Sequence, residues 1–168
     1  MHQAVRILTM SALAALTFSA TVSAGPPAAW QEFKSDQYGF KMRLPEGATM
    51  DAKTFESGWE GLFARAGDDE FYAVTKPGAK LTRQQIEVLG RTVIGIPATN
   101  WRTTGSAENE LGFKWYRTVR AREGDQMVYA RYGDGPKGPY VMVLKTSEER
   151  SRLYWFAYLA WGRSIQVY

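Results

Sequence analysis

The chain contains no cysteine and a single histidine, His2, in 168 residues. The lack of cysteine excludes disulfides, thiolate nucleophiles, and zinc or iron–sulfur sites built on sulfur. His2 falls in a segment with the marks of a targeting leader, so the part expected to fold carries neither residue type. That removes Ser-His-Asp triads, imidazole-bound metals and axial-histidine haem as well. Charge of one sign is also scarce, with 21 Lys and Arg against 17 Asp and Glu for a net +4. The basic residues alternate with acids, as in Arg120-Ala121-Arg122-Glu123 and Glu148-Glu149-Arg150, so no phosphate-tracking stripe is formed and no nucleic acid partner is expected. What is present, 45% hydrophobic and 14% aromatic residues, suits one soluble domain of ordinary size.

Arg6 precedes an apolar run over residues 7–18, and the small residues Thr21-Val22-Ser23-Ala24 lead into Gly25-Pro26-Pro27. This is the order of a secretory signal, with cleavage expected after Ala24 and a periplasmic or secreted product. The run is about a dozen residues, short of the roughly 20 that span a bilayer, so no membrane span is expected after cleavage. No cysteine follows it, which excludes a lipoprotein anchor. Residues 1–24 are thus read as a signal peptide, 25–29 as a short spacer and 30–168 as a single domain. A domain of about 140 residues buries roughly 70% of its unfolded surface and needs no covalent staples.

Within that domain, residues 38–44 read as a strand ended by the turn Pro45-Glu46-Gly47. Residues 59–66 and 71–75 flank Gly67-Asp68-Asp69-Glu70 as a hairpin. Thr82-Arg83-Gln84-Gln85 is a capping box with Leu81 positioned to staple onto Ile86. Ile86, Leu89 and Val93 follow at helical spacing until Gly95 and Pro97 stop the run. From Trp101 to Lys145 a meander of strands is expected. A turn at Glu123-Gly124 would set Val119 opposite Val128 and Trp115 opposite Tyr132, with Thr118 and Arg120 on the other face. Tyr140-Val141-Met142-Val143-Leu144 is apolar throughout, as in a central strand covered on both sides. A second helix is expected from the capping pattern Thr146-Ser147-Glu148-Glu149, with Leu153, Phe156, Ala157 and Ala160 as its buried stripe and Gly162 as C-cap. The aromatics of Leu153-Tyr154-Trp155-Phe156-Ala157-Tyr158 also suit a strand. Ser164-Ile165-Gln166-Val167-Tyr168 reads as a final strand.

With Tyr38-Gly39-Phe40-Lys41-Met42-Arg43-Leu44-Pro45-Glu46-Gly47 near its start and Ser164-Ile165-Gln166-Val167-Tyr168 at its end, the domain resembles the PsbP-like and DcrB-like group of exported proteins. The family pattern departs at Ala48, where a tryptophan is expected. The resemblance implies an α+β fold, a single antiparallel sheet sandwich with helices packed on it, and a non-catalytic accessory, assembly or chaperone-like role. No metal site of the photosynthetic members carries over, because their ligands match no positions of this sequence.

Gly133-Asp134-Gly135-Pro136-Lys137-Gly138 matches a G-x-G-x-x-G string, but Pro139 and another strand follow where a dinucleotide fingerprint must open a helix. It reads as a connection between strands. A lesser alternative is an anion loop formed by Gly133, Gly135, Lys137 and Gly138. Asp68-Asp69-Glu70 lacks the spacing of a calcium loop and reads as a solvated hairpin tip. No serine has a lysine three residues later, and no carboxylate spacing singles out a catalytic pair. Trp155, Tyr158 and Trp161 lie off the expected stripe of the second helix. They are either core or an exposed aromatic band rimmed by Arg150, Arg152 and Arg163, and in the second case they are the candidate partner-binding residues. No catalytic residues, metal or cofactor are assigned. The expected function is an exported non-enzymatic accessory protein acting through another envelope or secreted protein. A glycan- or envelope-binding module using the aromatic surface is the alternative, and a carboxylate-dependent hydrolase stands third.

Overall fold

The computed structural model describes residues 29–55 and 58–168; residues 1–28, which hold the expected leader and nearly all of the expected spacer, lie outside them. The strands are β1 (Trp30–Ser35), β2 (Phe40–Pro45), β3 (Thr49–Thr54), β4 (Glu60–Ala66), β5 (Asp69–Thr75), β6 (Trp101–Glu110), β7 (Phe113–Glu123), β8 (Gln126–Gly135), β9 (Gly138–Ser147) and β10 (Gln166–Val167). The helices are α1 (Arg83–Ile94) and α2 (Glu148–Ser164), with one 3-10 turn at Ala98–Asn100. Two antiparallel sheets result, a large one ordered β3-β4-β5-β9-β8-β7-β6 and a small one ordered β1-β2-β10. The expected single sheet is therefore divided in two.

The large sheet is covered on both faces, and strand periodicity decides which residue serves which face. Val119, Ala121, Val128, Ala130, Tyr132, Val141 and Val143 point one way and meet Ile86 and Ile94 of α1. Phe71, Ala73, Tyr140, Met142 and Leu144 point the other way. There they meet α2 and the small sheet through Tyr158, Trp161, Phe40, Met42 and Leu44. β9 lies fourth of seven strands, which explains its uninterrupted apolar run.

α1 forms where its capping signals place it. Thr82 accepts from the Gln85 backbone N–H at 3.3 Å, the Gln85 side chain accepts from the Thr82 N–H at 2.8 Å, and Gly95 closes the helix in the left-handed conformation. The hairpins follow the expected order with altered tips. β7 and β8 turn at Gly124-Asp125, so Val119 faces Ala130, Ala121 faces Val128, and Trp115 faces Asp134. A turn placed one residue later shifts every partner by two residues, which preserves the face and changes the neighbour. The β4–β5 tip contracts to Gly67-Asp68 because Asp69 and Glu70 join the ladder opposite Ala66 and Arg65.

α2 is a helix, begun by Ser147, whose Oγ accepts from the Arg150 N–H at 3.2 Å. Gly162 lies inside it, and Ile165 is the C-cap. Tyr154 leaves helical geometry at φ −120°, ψ 21° and kinks the axis. The buried face runs unbroken through the kink as Ser151, half-buried Tyr154, Tyr158, Trp161 and Ile165 at i, i+3, i+7, i+10 and i+14, while Leu153, Phe156 and Ala160 are exposed. The expected stripe of Leu153, Phe156, Ala157 and Ala160 is accordingly wrong. Among the described residues, no helix is long and apolar enough to cross a membrane.

Candidate functional site

α2 is locked onto the large sheet by a buried polar cluster. Asp69, fully buried, accepts from Thr146 Oγ1 at 2.7 Å, from Tyr158 Oη at 2.9 Å, and from Arg150 Nε and Nη2 at 3.0 and 3.1 Å. Every oxygen of this carboxylate is engaged, the condition under which a buried charge is tolerated. The Asp69 hydrogen bond pushes the Arg150 guanidinium further up, and burial raises the Tyr158 phenol, so both hold their protons throughout the ordinary pH range. Asp69 is thus no solvated hairpin tip, and Arg150 is a structural clamp in place of a rim charge. A buried acid is stable at this position because α2 delivers a guanidinium fork to it.

Beside that lock, α2 overhangs β8 and leaves β7 and β6 uncovered, opening a cleft of about 370 Å³. Its floor is basic by strand geometry. Arg102 of β6 lies directly opposite Arg120 of β7, and Arg122 follows two residues on, on the same face. Arg152 enters from α2 and Trp155 forms a wall. Glu148 binds Arg122 through both oxygens at 2.7 Å. Among the described residues Arg102, Arg120 and Arg152 enter no ion pair. Like charges directly opposite on paired strands repel, so the Arg102–Arg120 juxtaposition is held at a cost that an anion would remove. Guanidinium groups donate and stay protonated at working pH, so the cleft is suited to hold oxyanions rather than to move protons.

The outer surface of α2 continues this cleft with an apolar patch. Leu153, Trp155 and Phe156 are 65%, 44% and 71% exposed, and the last two rings lie 3.7 Å apart at 32°. These three side chains lie off the buried face formed by Ser151, Tyr154, Tyr158 and Trp161.

Of the six candidate partner residues from the sequence, the structure brings Arg152 and Trp155 together in the cleft and leaves Arg163 exposed further along the helix. Tyr158 and Trp161 are core residues at 0% and 1% exposure, not members of a surface band, because they share the helix face of Ser151 and pack on Tyr129 and Phe71. Arg102, Arg120 and Arg122 were not singled out by sequence. The alternation of Arg120 and Arg122 on one strand face was a visible signal, but Arg102 joins them only through the β6–β7 register.

The glycine-rich string is the β8–β9 hairpin, with Gly133 and Gly135 in β8 and Gly138 opening β9. The Lys137 ammonium donates to the carbonyls of Asp36 at 2.5 Å and Gln37 at 3.5 Å, tying this tip to the turn after β1. Among the described residues no group of three or more Asp, Glu, His or Cys is arranged to hold a metal ion.

No family model matches the sequence, and no curated protein matches it. Among solved structures, the chain is similar to that of cyanobacterial PsbP (CyanoP) from Synechocystis sp. PCC 6803, with a TM-score of 0.57 at 13% identity over 89% of this chain and 98% of that one. At that identity the likeness carries the fold alone, and on that ground the domain has the PsbP-like fold.

Proposed function

We propose that this is an exported, non-catalytic accessory protein that docks on an acidic surface of another envelope or secreted protein through the outer side of α2. The observation that carries the reading is the contiguity of an exposed apolar patch, Leu153, Trp155 and Phe156, with the unpaired Arg102, Arg120 and Arg152. An aromatic anchor bordered by arginines has the composition of a binding hot spot. Charge complementarity calls for a carboxylate-rich partner face with an apolar notch. The leader pattern of residues 1–24 supports export, and the PsbP-like fold accords with an accessory role.

The test is site-specific photo-crosslinking in cells from position 156, with position 88 on the exposed side of α1 as control. The reading expects one discrete adduct from position 156 that is lost with Arg120→Glu, and none from position 88. Retention of the protein on insoluble peptidoglycan, abolished by Trp155→Ala, would favour a glycan-binding module instead. Turnover of cell-wall or ester substrates by the purified protein would overturn the non-catalytic reading.

A further inference from the structure

A second cavity, of about 490 Å³, lies under the C-terminal half of α2, between the helix and β6, β7 and β8. Leu111, Tyr116, Leu159 and Trp161 give it apolar walls, and Arg131 lies in its lining although only 5% exposed. Two of the five N–H groups of this guanidinium are used within the protein. Nε donates to Thr118 Oγ1 at 3.2 Å, and Nη1 donates to the Ile165 carbonyl, at the C-cap of α2, at 3.1 Å. The guanidinium also lies 4.2 Å from the centre of the Tyr116 ring. Among the described residues Nη2 has no hydrogen-bond acceptor and Arg131 has no ion-pair partner. Trp161 also lines the cavity, and among the described residues its buried Nε1–H has no partner.

A largely buried cation without a carboxylate is costly, and Nη2, the guanidinium nitrogen with no protein acceptor, is the one not closed off from the surrounding space. The clamp on Ile165 explains why an arginine reaches this place, but not why one edge of it is left unpaired beside open space. We propose that the cavity binds a small carboxylic acid with an apolar body, its carboxylate on the free edge of Arg131 and its hydrocarbon part among Leu111, Tyr116, Leu159 and Trp161. One guanidinium edge matches the two oxygens of a single carboxylate. A phosphate dianion would call for more positive charge than this cavity offers. Glu110 and Arg163, both exposed, stand in the same lining with opposite charges. Glu110 acts on Arg131 through its charge without reaching it, and so competes with an incoming carboxylate. This site rests on observations separate from those of the docking surface.

The test is a titration of the folded protein with octanoate, and in parallel with octanol, followed through the assigned Trp161 indole and Arg131 Nε–H resonances. Saturable shifts of both in the millimolar range or below are expected with octanoate, and binding of octanol weaker by about tenfold or more. Glu110→Gln, an exposed change, is expected to tighten octanoate and leave octanol unaffected. Arg131→Gln should abolish the preference for the acid. Should that variant fail to fold, the acid–alcohol comparison on the unchanged protein decides. Equal affinity for octanoate and octanol, no shift of either resonance, or shifts confined to Trp155 and Arg120 would each overturn the proposal.

Discussion

Arg150 and Asp69, 81 residues apart in sequence, meet as a two-pronged ion pair under the first turn of α2, with the arginine side chain 14% and the aspartate side chain 1% exposed. The same carboxylate gathers Thr146 of β9 and Tyr158 of α2. One residue therefore fixes the helix both along and across the sheet, and the cleft and patch that α2 presents depend on that seating.

Removing the carboxylate should be costly. Asp69→Ala leaves a shielded guanidinium and two hydroxyls without their acceptor, and a loss of about 3–5 kcal/mol in denaturant-unfolding stability is expected. The double change Asp69→Leu with Arg150→Met should recover part of it, since an ion pair replaced on both sides leaves no unpaired charge. Equal stability of Asp69→Ala and the native protein would contradict the structural role.

The tyrosines set an alkaline limit. Burial pushes the Tyr140 phenol up to about 12, and also raises Tyr158 and Tyr72. An unfolded tyrosine ionises near 10. The stabilising contribution is complete below pH 10 and is lost as the pH rises through about 12, because only the unfolded chain gives up these protons in that window. Absorbance at 295 nm should show fewer than the nine tyrosines of the chain titrating before a cooperative loss of circular dichroism. Independent titration of all nine near pH 10, with the fold intact, would refute this.

Trp155 and Trp161, six residues apart on one helix, should behave oppositely. Trp161→Ala empties a core position against Phe71 and should cost about 3–5 kcal/mol. Trp155→Ala should stay within about 1 kcal/mol of the native protein while removing the position-156 adduct. Loss of folding in both variants would show that the two rings share one buried face.

The cross-strand arginines should weaken the free protein. Arg102→Gln relieves the repulsion facing Arg120 and is expected to stabilise by about 0.2–1 kcal/mol. Added sodium chloride should raise the melting temperature of the native protein more than that of the variant, since salt screens exposed charges. A lower melting temperature for Arg102→Gln would mean that the pair is not under repulsion.

The hairpin that begins β9 tolerates only glycine at Gly138. Its φ is 133°, and a Cβ there would stand 2.6 Å from the Lys76 carbonyl oxygen. Gly138→Ala should destabilise by more than about 1 kcal/mol, read from the shift of the urea midpoint. An unchanged midpoint would mean that the β8–β9 tip is looser than its contacts imply.

Local rules carried the elements whose signals are local. The Thr82 capping box and Gly95 defined α1, and the unbroken apolar run of Tyr140 to Leu144 announced the central strand. Alternation placed Arg120 and Val119 on opposite faces, and the resemblance at residues 38–47 led to the observed fold. β1, β3 and the division into two sheets were not legible. β3 is exposed at every residue, so no burial pattern marked it, and β10 pairs with β2 across more than 120 residues of chain.

The sequence by itself determined that chemistry depending on cysteine or histidine has no place from residue 29 onward, that a capped helix interrupts the strands and a second capping pattern precedes a segment open to helix or strand, and which residues share a strand face. These follow from residue type and from repeats of 2 and 3.6 residues. Only the tertiary structure decided which side of α2 is buried, that Asp69 is a core residue and that Arg102, Arg120 and Arg152 converge. The helix carries two possible stripes and only its packing on Tyr129 and Phe71 selects one, a buried charge depends on a partner from a distant element, and cross-strand neighbours are set by a register that a one-residue change of turn displaces by two.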